Sequence, residues 1–214
     1  FLGLFAPLIA PYDPEMTNAA DARMAPCLAH LFGTDETGMD IFSRCIYAIR
    51  IDVVIGVFGT LFSLAMGIPL GLLAGYYEGL LGEIILRIAD LIQAFPAFIL
   101  AMALVAVFGN STQNILLVVA FVNVPIYTRF VRGEVLAMKG RPFIEAGHTG
   151  GMTSARIMFQ ELLPNSLRPA LVQASINIGG AILLTAGLSY IGAGVTIPTP
   201  EWGSMISIGA PLIL

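Results

Sequence analysis

Side chains able to do chemistry are sparse in this sequence, and their spacing does not suit catalysis. The two histidines, His30 and His148, belong to no His-Glu-x-x-His pair of the kind that holds zinc on one helix face. In "GLSYIG", Gly187, Ser189 and Gly192 miss by one residue the Gly-x-Ser-x-Gly turn that exposes a nucleophilic serine. No catalytic residue and no metal ligand is assigned. What remains is a set of polar side chains inside apolar runs: Asn123, Gln173 and Asn177, with Asp90 and Gln93 near the start of one run. Gln173 and Asn177 are four apart and share a helix face. Asn123, Gln173 and Asn177 either line a water-filled route for a solute or hydrogen-bond helices to one another. Asp90, three residues after Arg87, is placed to pair with it. The middles of the runs contain no charged side chain, which argues against the ion relay of a secondary carrier or proton pump.

The elements that must position these amides are membrane spans. Of 214 residues, 57% are hydrophobic and only 11% charged, and the mean hydropathy is +0.87. A soluble domain carries about 25% charged residues. The net charge of −4 offers no basic stripe for nucleic acid. Four stretches reach the length of about 20 apolar residues that a span needs: 53–76, 91–108, 113–131 and 167–191. Pro96 and Pro125 predict kinks in the second and third. The chain starts and stops within apolar runs, so residues 1–10 are expected to end a truncated first span and 206–214 to begin a truncated last one. The opening run has no basic region or small-residue cleavage site and is not read as a signal peptide. The fold class is therefore an all-α polytopic helical bundle in the membrane, with about six spans when intact.

Basic residues set the orientation, because Lys and Arg near span ends stay in the cytoplasm. Arg129, Arg132, Lys139, Arg141, Arg156 and Arg168 lie between the third and fourth stretches, and Arg87 falls on the same side. The loops at "GNSTQN" and 192–205 contain no Lys or Arg and are expected outside. Residues 11–52 are also expected outside. Within them Phe42, Cys45, Ile46 and Ile49 form the stripe of an amphipathic helix lying along the interface, with Asp40 at its N-terminus. Cys27 and Cys45 then both face an oxidising compartment, and a disulfide and a buried free thiol at Cys45 both stay open. In "GIPLGLLAG", Gly67, Gly71 and Gly75 make a face that lets another helix approach closely, within the chain or from a second subunit.

Segment 134–164 interrupts the transmembrane core of 53–191 with polar, glycine-broken sequence. Lys139-Gly140-Arg141-Pro142 ends one helix and opens a short one, Phe143 to His148, which stops at Gly150-Gly151. Thr153 or Ser154 can cap a second helix running to Leu163, where Pro164 opens the next span. A connection needs only about two to eight residues, so this elbow is expected to present a surface to another protein.

Glu145-Ala146-Gly147, Gly151 and Leu163-Pro164 resemble the "EAA" signature of permease subunits of binding-protein-dependent ABC importers. "GTDETGMDIFSR" (33–44), "RIADLIQAFP", "RFVRGEVL", "LPNSLRP", "GLSYIGAGV" and "PTPEWGSM" resemble, in order, the C-type permease subunits of the oligopeptide, dipeptide and nickel importers. Four positions depart from that pattern. Gly147 stands for the usual second alanine, Gly150 for a usual leucine, Glu161 for histidine or an apolar residue, and Met39 for the arginine of the outer motif.

The resemblance implies an ABC type I importer permease in a prokaryotic plasma (inner) membrane, with the elbow as its cytoplasmic coupling helix. It also implies the partners: a B-type second permease subunit, two ATP-binding-cassette ATPases that hold ATP and Mg, and an extracytoplasmic solute-binding protein. The chain itself would be no enzyme and bind no cofactor. Glu145, Ala146, Gly147, Gly151 and Met152 are expected to couple to the ATPase, with Glu145 fixing the elbow through Arg141, Arg156 or facing backbone. The solute implied is a di- or oligopeptide, with nickel, glutathione, opines and small glycans as alternatives. A carrier or channel driven by an ion gradient is the competing class.

Overall fold

The computed structural model describes residues 1–212, so the last two positions of segment 206–214 lie outside the described residues. The described residues form helices, joined by loops with one isolated antiparallel bridge, Thr34 to Asp40. In chain order the helices are α1 (Ala6–Ile9), α2 (Ile41–Tyr76), α3 (Leu80–Gln93), α4 (Ala97–Phe108), α5 (Thr112–Lys139), α6 (Pro142–Thr149), α7 (Ser154–Arg156), α8 (Leu163–Tyr190) and α9 (Trp202–Gly209). A π-helix, Ile157–Leu162, joins α7 to α8 without a break.

Local chemistry sets the helix starts. Asp40 accepts from the Ser43 N–H at 2.8 Å, Ser111 from Asn114 at 3.2 Å, and Glu201 from Gly203 and Ser204 at 2.9 and 2.8 Å. Each satisfies N–H groups that a helix N-terminus leaves free. Gly79 at φ +99° and Gly109 at φ +87° make the turns after α2 and α4.

Three helices are long and apolar enough to cross a membrane: Ile41–Tyr76, Thr112–Lys139 and Ser154–Tyr190. A fourth crossing exists only if α3 and α4 count as one span, and they meet at 87°. The stretch 91–108 is thus not one kinked helix. Its first residues belong to α3, and the chain breaks at Ala94 to Pro96, where proline disfavours helical geometry in the residue before it. Pro125 interrupts nothing: it sits buried inside the continuous α5. The amphipathic stripe at 42–49 is not a separate interfacial helix either. It forms the first turns of the 36-residue α2, which runs through position 52 unbroken.

The glycine face is spent inside the chain. Gly67, Gly71 and Gly75 of α2 lie against α5, where an added Cβ would come within 2.7 Å of Val131 and Val135 at the last two positions. Gly56 makes the corresponding approach to α8 beside Ile182. Close backbone contact of this kind replaces the missing hydrophobic drive between helices in lipid. Two apolar clusters result. One joins Ile55, Ala101, Ile115, Val119, Ala181 and Leu188 toward the α1/α9 end. The other joins Leu72, Tyr76, Tyr127, Val131, Val135, Ala170 and Ala174 to the elbow residues Ile144, Ile157 and Leu162.

Candidate functional site

The elbow is built from α6, a glycine turn and α7. Pro142 opens α6, where its missing N–H costs no hydrogen bond. Gly151, at φ +77°, closes it: Met152 N–H bonds back to Gly147 O at 3.0 Å and Gly151 N–H to His148 O at 3.1 Å. This double bond pattern needs a left-handed residue after the helix, and glycine takes that conformation without strain. Gly150 has an ordinary negative φ, so of the two glycines only Gly151 is required by the backbone. Thr153 accepts from Arg156 N–H at 3.4 Å, and α7 then runs through the π-helix into α8. The second elbow helix and the span are therefore one rod. Pro164 cannot donate to Gln160 O, and the π stretch ends two residues before it.

The sequence-derived coupling residues divide by burial. Ile144 and Gly147 face the apolar cluster, Met152 is half-buried against it, and Glu145, Ala146 and Gly151 are exposed. A Cβ on Gly147 would meet Met152 Sδ at 3.1 Å. The expected partners of Glu145 are not there. Its carboxylate pairs with neither Arg141 nor Arg156 among the described residues, and Arg156 Nε donates to Gln160 at 2.7 Å instead. Helical geometry sends Glu145 outward while Ile144 and Gly147 turn inward.

Contacts that tie the elbow to the spans join His148 and Lys139 to partners the sequence did not indicate. His148 of α6 stacks on Tyr76 at the end of α2, with centroids 6.4 Å apart and planes at 22°. Lys139 Nζ donates to Tyr76 O at 2.8 Å and to Glu78 at 2.9 Å, and lies 5.6 Å over the Tyr76 ring. The Lys139 ammonium holds the Glu78 carboxyl below the usual carboxylate range, first by its hydrogen bond and then by its charge. The turn signal at Lys139-Gly140 pointed to this place but not to its partner 63 positions earlier.

The candidate pathway amides make hydrogen bonds within the protein, although Asn177 Nδ2 is buried with no partner among the described residues. Gln173 Nε2 donates to Asn177 Oδ1 at 3.0 Å, and Asn123 Nδ2 donates to Val119 O of its own helix at 2.9 Å. Asp90 does not pair with Arg87. Arg87 takes Glu83 at 3.3 Å, whereas Asp90 and Gln93 both accept from Arg129 of α5.

At the opposite end, residues 11–40 fold over the start of α2 around Arg44. Its Nη1 donates to Pro14 O at 2.9 Å and Pro198 O at 3.0 Å, and its Nε lies 3.9 Å from Asp35. Met39, which stands where the outer motif has arginine, is buried with its sulfur 2.8 Å from the Arg44 guanidinium. His30 bonds Asp40 at 2.9 Å and stacks on Tyr12. Cys27 and Cys45 are both free.

Residues 67–214 match the family described as binding-protein-dependent transport system inner membrane component. The dipeptide transport system permease protein DppC of Alkalihalophilus pseudofirmus is 43% identical over 96% of this chain and 68% of its own length. The glutathione transport system permease protein GsiD of Escherichia coli is 41% identical over 96% and 68%. The di/tripeptide permease protein DppC of Pseudomonas aeruginosa is 39% identical over 97% and 70%. A solved structure of the MetNI methionine ABC transporter in inward-facing conformations aligns with a TM-score of 0.67, covering 79% of this chain and 81% of that one. At 18% identity it speaks for the fold alone. The chain belongs to the family of binding-protein-dependent transport system inner membrane components, and is a permease subunit of an ABC importer.

Proposed function

We propose that this permease carries di- or oligopeptides across a prokaryotic inner membrane, and that α6 is the helix through which partner ATPases drive it. The observation that carries the elbow's role is the shared apolar cluster: Ile144 and Ile157 pack with Tyr76, Val131 and Ala170 of the three longest helices. A push on α6 therefore moves α2, α5 and α8 as a packed unit, which suits a two-state element biased by a ligand bound elsewhere. Glu145 and Ala146 lie on the free face of α6 and are the contacts offered to an ATPase; Gly147, Gly151 and Met152 hold the elbow's shape. The elbow end is cytoplasmic, and 11–52 and 192–205 are extracytoplasmic. ATP and Mg reside in the two ATPases, and this chain performs no chemistry. A B-type permease completes the solute pathway, and an extracytoplasmic binding protein delivers the solute.

Peptide is the solute supported by the dipeptide and di/tripeptide relatives. The glutathione relatives favour a second reading, a modified tripeptide of the same size class. Uptake by the complete reconstituted transporter, with a dipeptide and glutathione as competing solutes, tests both. Dipeptide uptake that requires ATP supports the first; competition won by glutathione supports the second. Glu145→Ala tests the elbow: unchanged solute-stimulated ATP hydrolysis and uptake would remove Glu145 from the coupling contact.

A further inference from the structure

Two carboxyl groups lie side by side in the outer part of the bundle with no cation to balance them. Asp52 of α2 and Glu201, the cap of α9, are each 0% exposed. They divide three consecutive N–H donors at the start of α9. Trp202 N–H goes to Asp52 Oδ2 at 3.3 Å, and Gly203 and Ser204 N–H go to the two oxygens of Glu201 at 2.9 and 2.8 Å. Both carboxyls thus sit on neighbouring N–H groups of the first turn of α9. Asp52 Oδ1 is buried with no hydrogen-bond partner among the described residues.

Charge accounting sharpens the anomaly. No lysine, arginine or histidine pairs with either carboxyl among the described residues. Arg50 lies two residues earlier on α2 but is exposed, lining a surface cavity with Asp13 and Glu15. Arg44, further up α2, is committed to two carbonyls and Asp35. From Pro169 to Pro200, across α8 and the loop that packs on α9, there is no charged residue, and α1 and α4 contain none. Two ionised carboxylates side by side and out of water are strongly disfavoured, and an orphaned buried acceptor adds to the penalty. One proton removes both problems. Placed on Asp52 Oδ1, it makes that oxygen a donor toward Glu201, whose two oxygens keep their N–H bonds at the helix N-terminus.

We propose that Asp52 and Glu201 share one proton and that this proton is a latch joining α2 to α9 across the outer part of the bundle. With the proton in place the two helices are tied by an acid-to-carboxylate hydrogen bond. Without it the carboxylates repel, and α9 separates from α2. α9 also packs on α8, where Gly203 lies against Ala186, so opening the latch loosens the outer ends of both long helices. Import that needs the latch is lost on the alkaline side as the proton leaves, by about tenfold per pH unit once titration begins.

The intact transporter in lipid nanodiscs tests this by infrared difference spectroscopy and by uptake against pH. Wild type is expected to show the carbonyl stretch of a protonated carboxyl at neutral pH, disappearing on alkaline titration in step with uptake. Asp52→Asn keeps shape and a donor but cannot lose a proton, so it should abolish the band and flatten the alkaline limb of uptake. Absence of the band in wild type, or an unchanged alkaline limb in Asp52→Asn, overturns the proposal. If the variant does not assemble, Glu201→Gln and the wild-type band decide in the same way. The uptake arm rests on the importer reading and the band does not. A complex with the band but no ATP-driven uptake would sink the importer reading and leave the shared proton standing.

Discussion

Tyr76 and His148 stack at 6.4 Å between centroids, and through that contact the last residue of α2 rests on the elbow helix. A stacked aromatic pair contributes about 0.5–1.5 kcal/mol beyond its burial. His148→Ala should therefore weaken transmission without unfolding the subunit. In the reconstituted transporter, uptake per ATP hydrolysed should fall about two- to tenfold, with basal hydrolysis retained. Tyr76→Ala combined with His148→Ala should be no worse than the worse single variant, since both remove one contact. Additive losses would mean that the stack transmits nothing.

Close approach of α2 and α5 at Gly71 leaves no room for a side chain: a Cβ there would lie 2.7 Å from Thr128 O and from Val131 Cβ. Gly71→Leu should destabilise the purified complex by about 1–3 kcal/mol through overpacking. Gly133→Ala, with nothing within 4 Å of the added carbon and a helix interior that favours alanine, is the control and should melt at or slightly above wild type. Equal melting temperatures for Gly71→Leu and the control would contradict the packing.

The two elbow glycines should respond oppositely to alanine. At Gly147 the only tight neighbour is the flexible Met152 thioether, so Gly147→Ala should be accommodated and should stabilise α6 by up to about 1 kcal/mol. At Gly151 the positive φ puts alanine in a left-handed conformation costing about 1–2 kcal/mol. Hydrogen exchange across 142–152 should slow in the first variant and quicken in the second.

Acid should release the Lys139 clamp. Glu78 has its carboxyl held low in the folded protein by Lys139, so its contribution is present above the ordinary carboxylate range and lost as pH falls through the lowered folded value. The pair is exposed and its effect on global stability is small. The readout is local: protection at the α2/α3 turn should drop on acidification in wild type and be pH-independent in Glu78→Gln.

Much of this was legible from pattern alone. Three of the four apolar stretches, the capped elbow and the glycine face of α2 follow from lengths, proline and glycine positions and helical spacing, and correspond to elements of the fold, whereas 91–108 is divided between α3 and α4. The departures have a common cause, which is pairing across the bundle that no local window contains. Asp52 marks a boundary in the sequence, yet α2 runs through it because Glu201 and Trp202, some 150 positions on, complete its environment. Asp90 has a cation three residues away and takes Arg129 of another helix instead. Pro96 and Pro125 look alike in sequence. The first sits at an 87° break and the second within an intact helix, buried by its neighbours. Glu145 was expected to hold the elbow, but α6 is oriented by its apolar side, which leaves the carboxylate free for a partner.

If ATP hydrolysis in partner subunits reaches the spans through the free face of α6, as proposed, uptake must depend on that face. Ala146 is exposed at the centre of that face and outside the apolar cluster, so Ala146→Asp changes the docking surface and leaves the fold intact. The decisive measurement is ATP-dependent dipeptide uptake in proteoliposomes containing the complete transporter, with and without this substitution and with ion gradients collapsed. Uptake is expected to survive loss of the gradients, to require ATP, and to fall at least about tenfold in Ala146→Asp while the purified permease melts unchanged. Uptake driven by an ion gradient without ATP, or full ATP-driven uptake by Ala146→Asp, would contradict it.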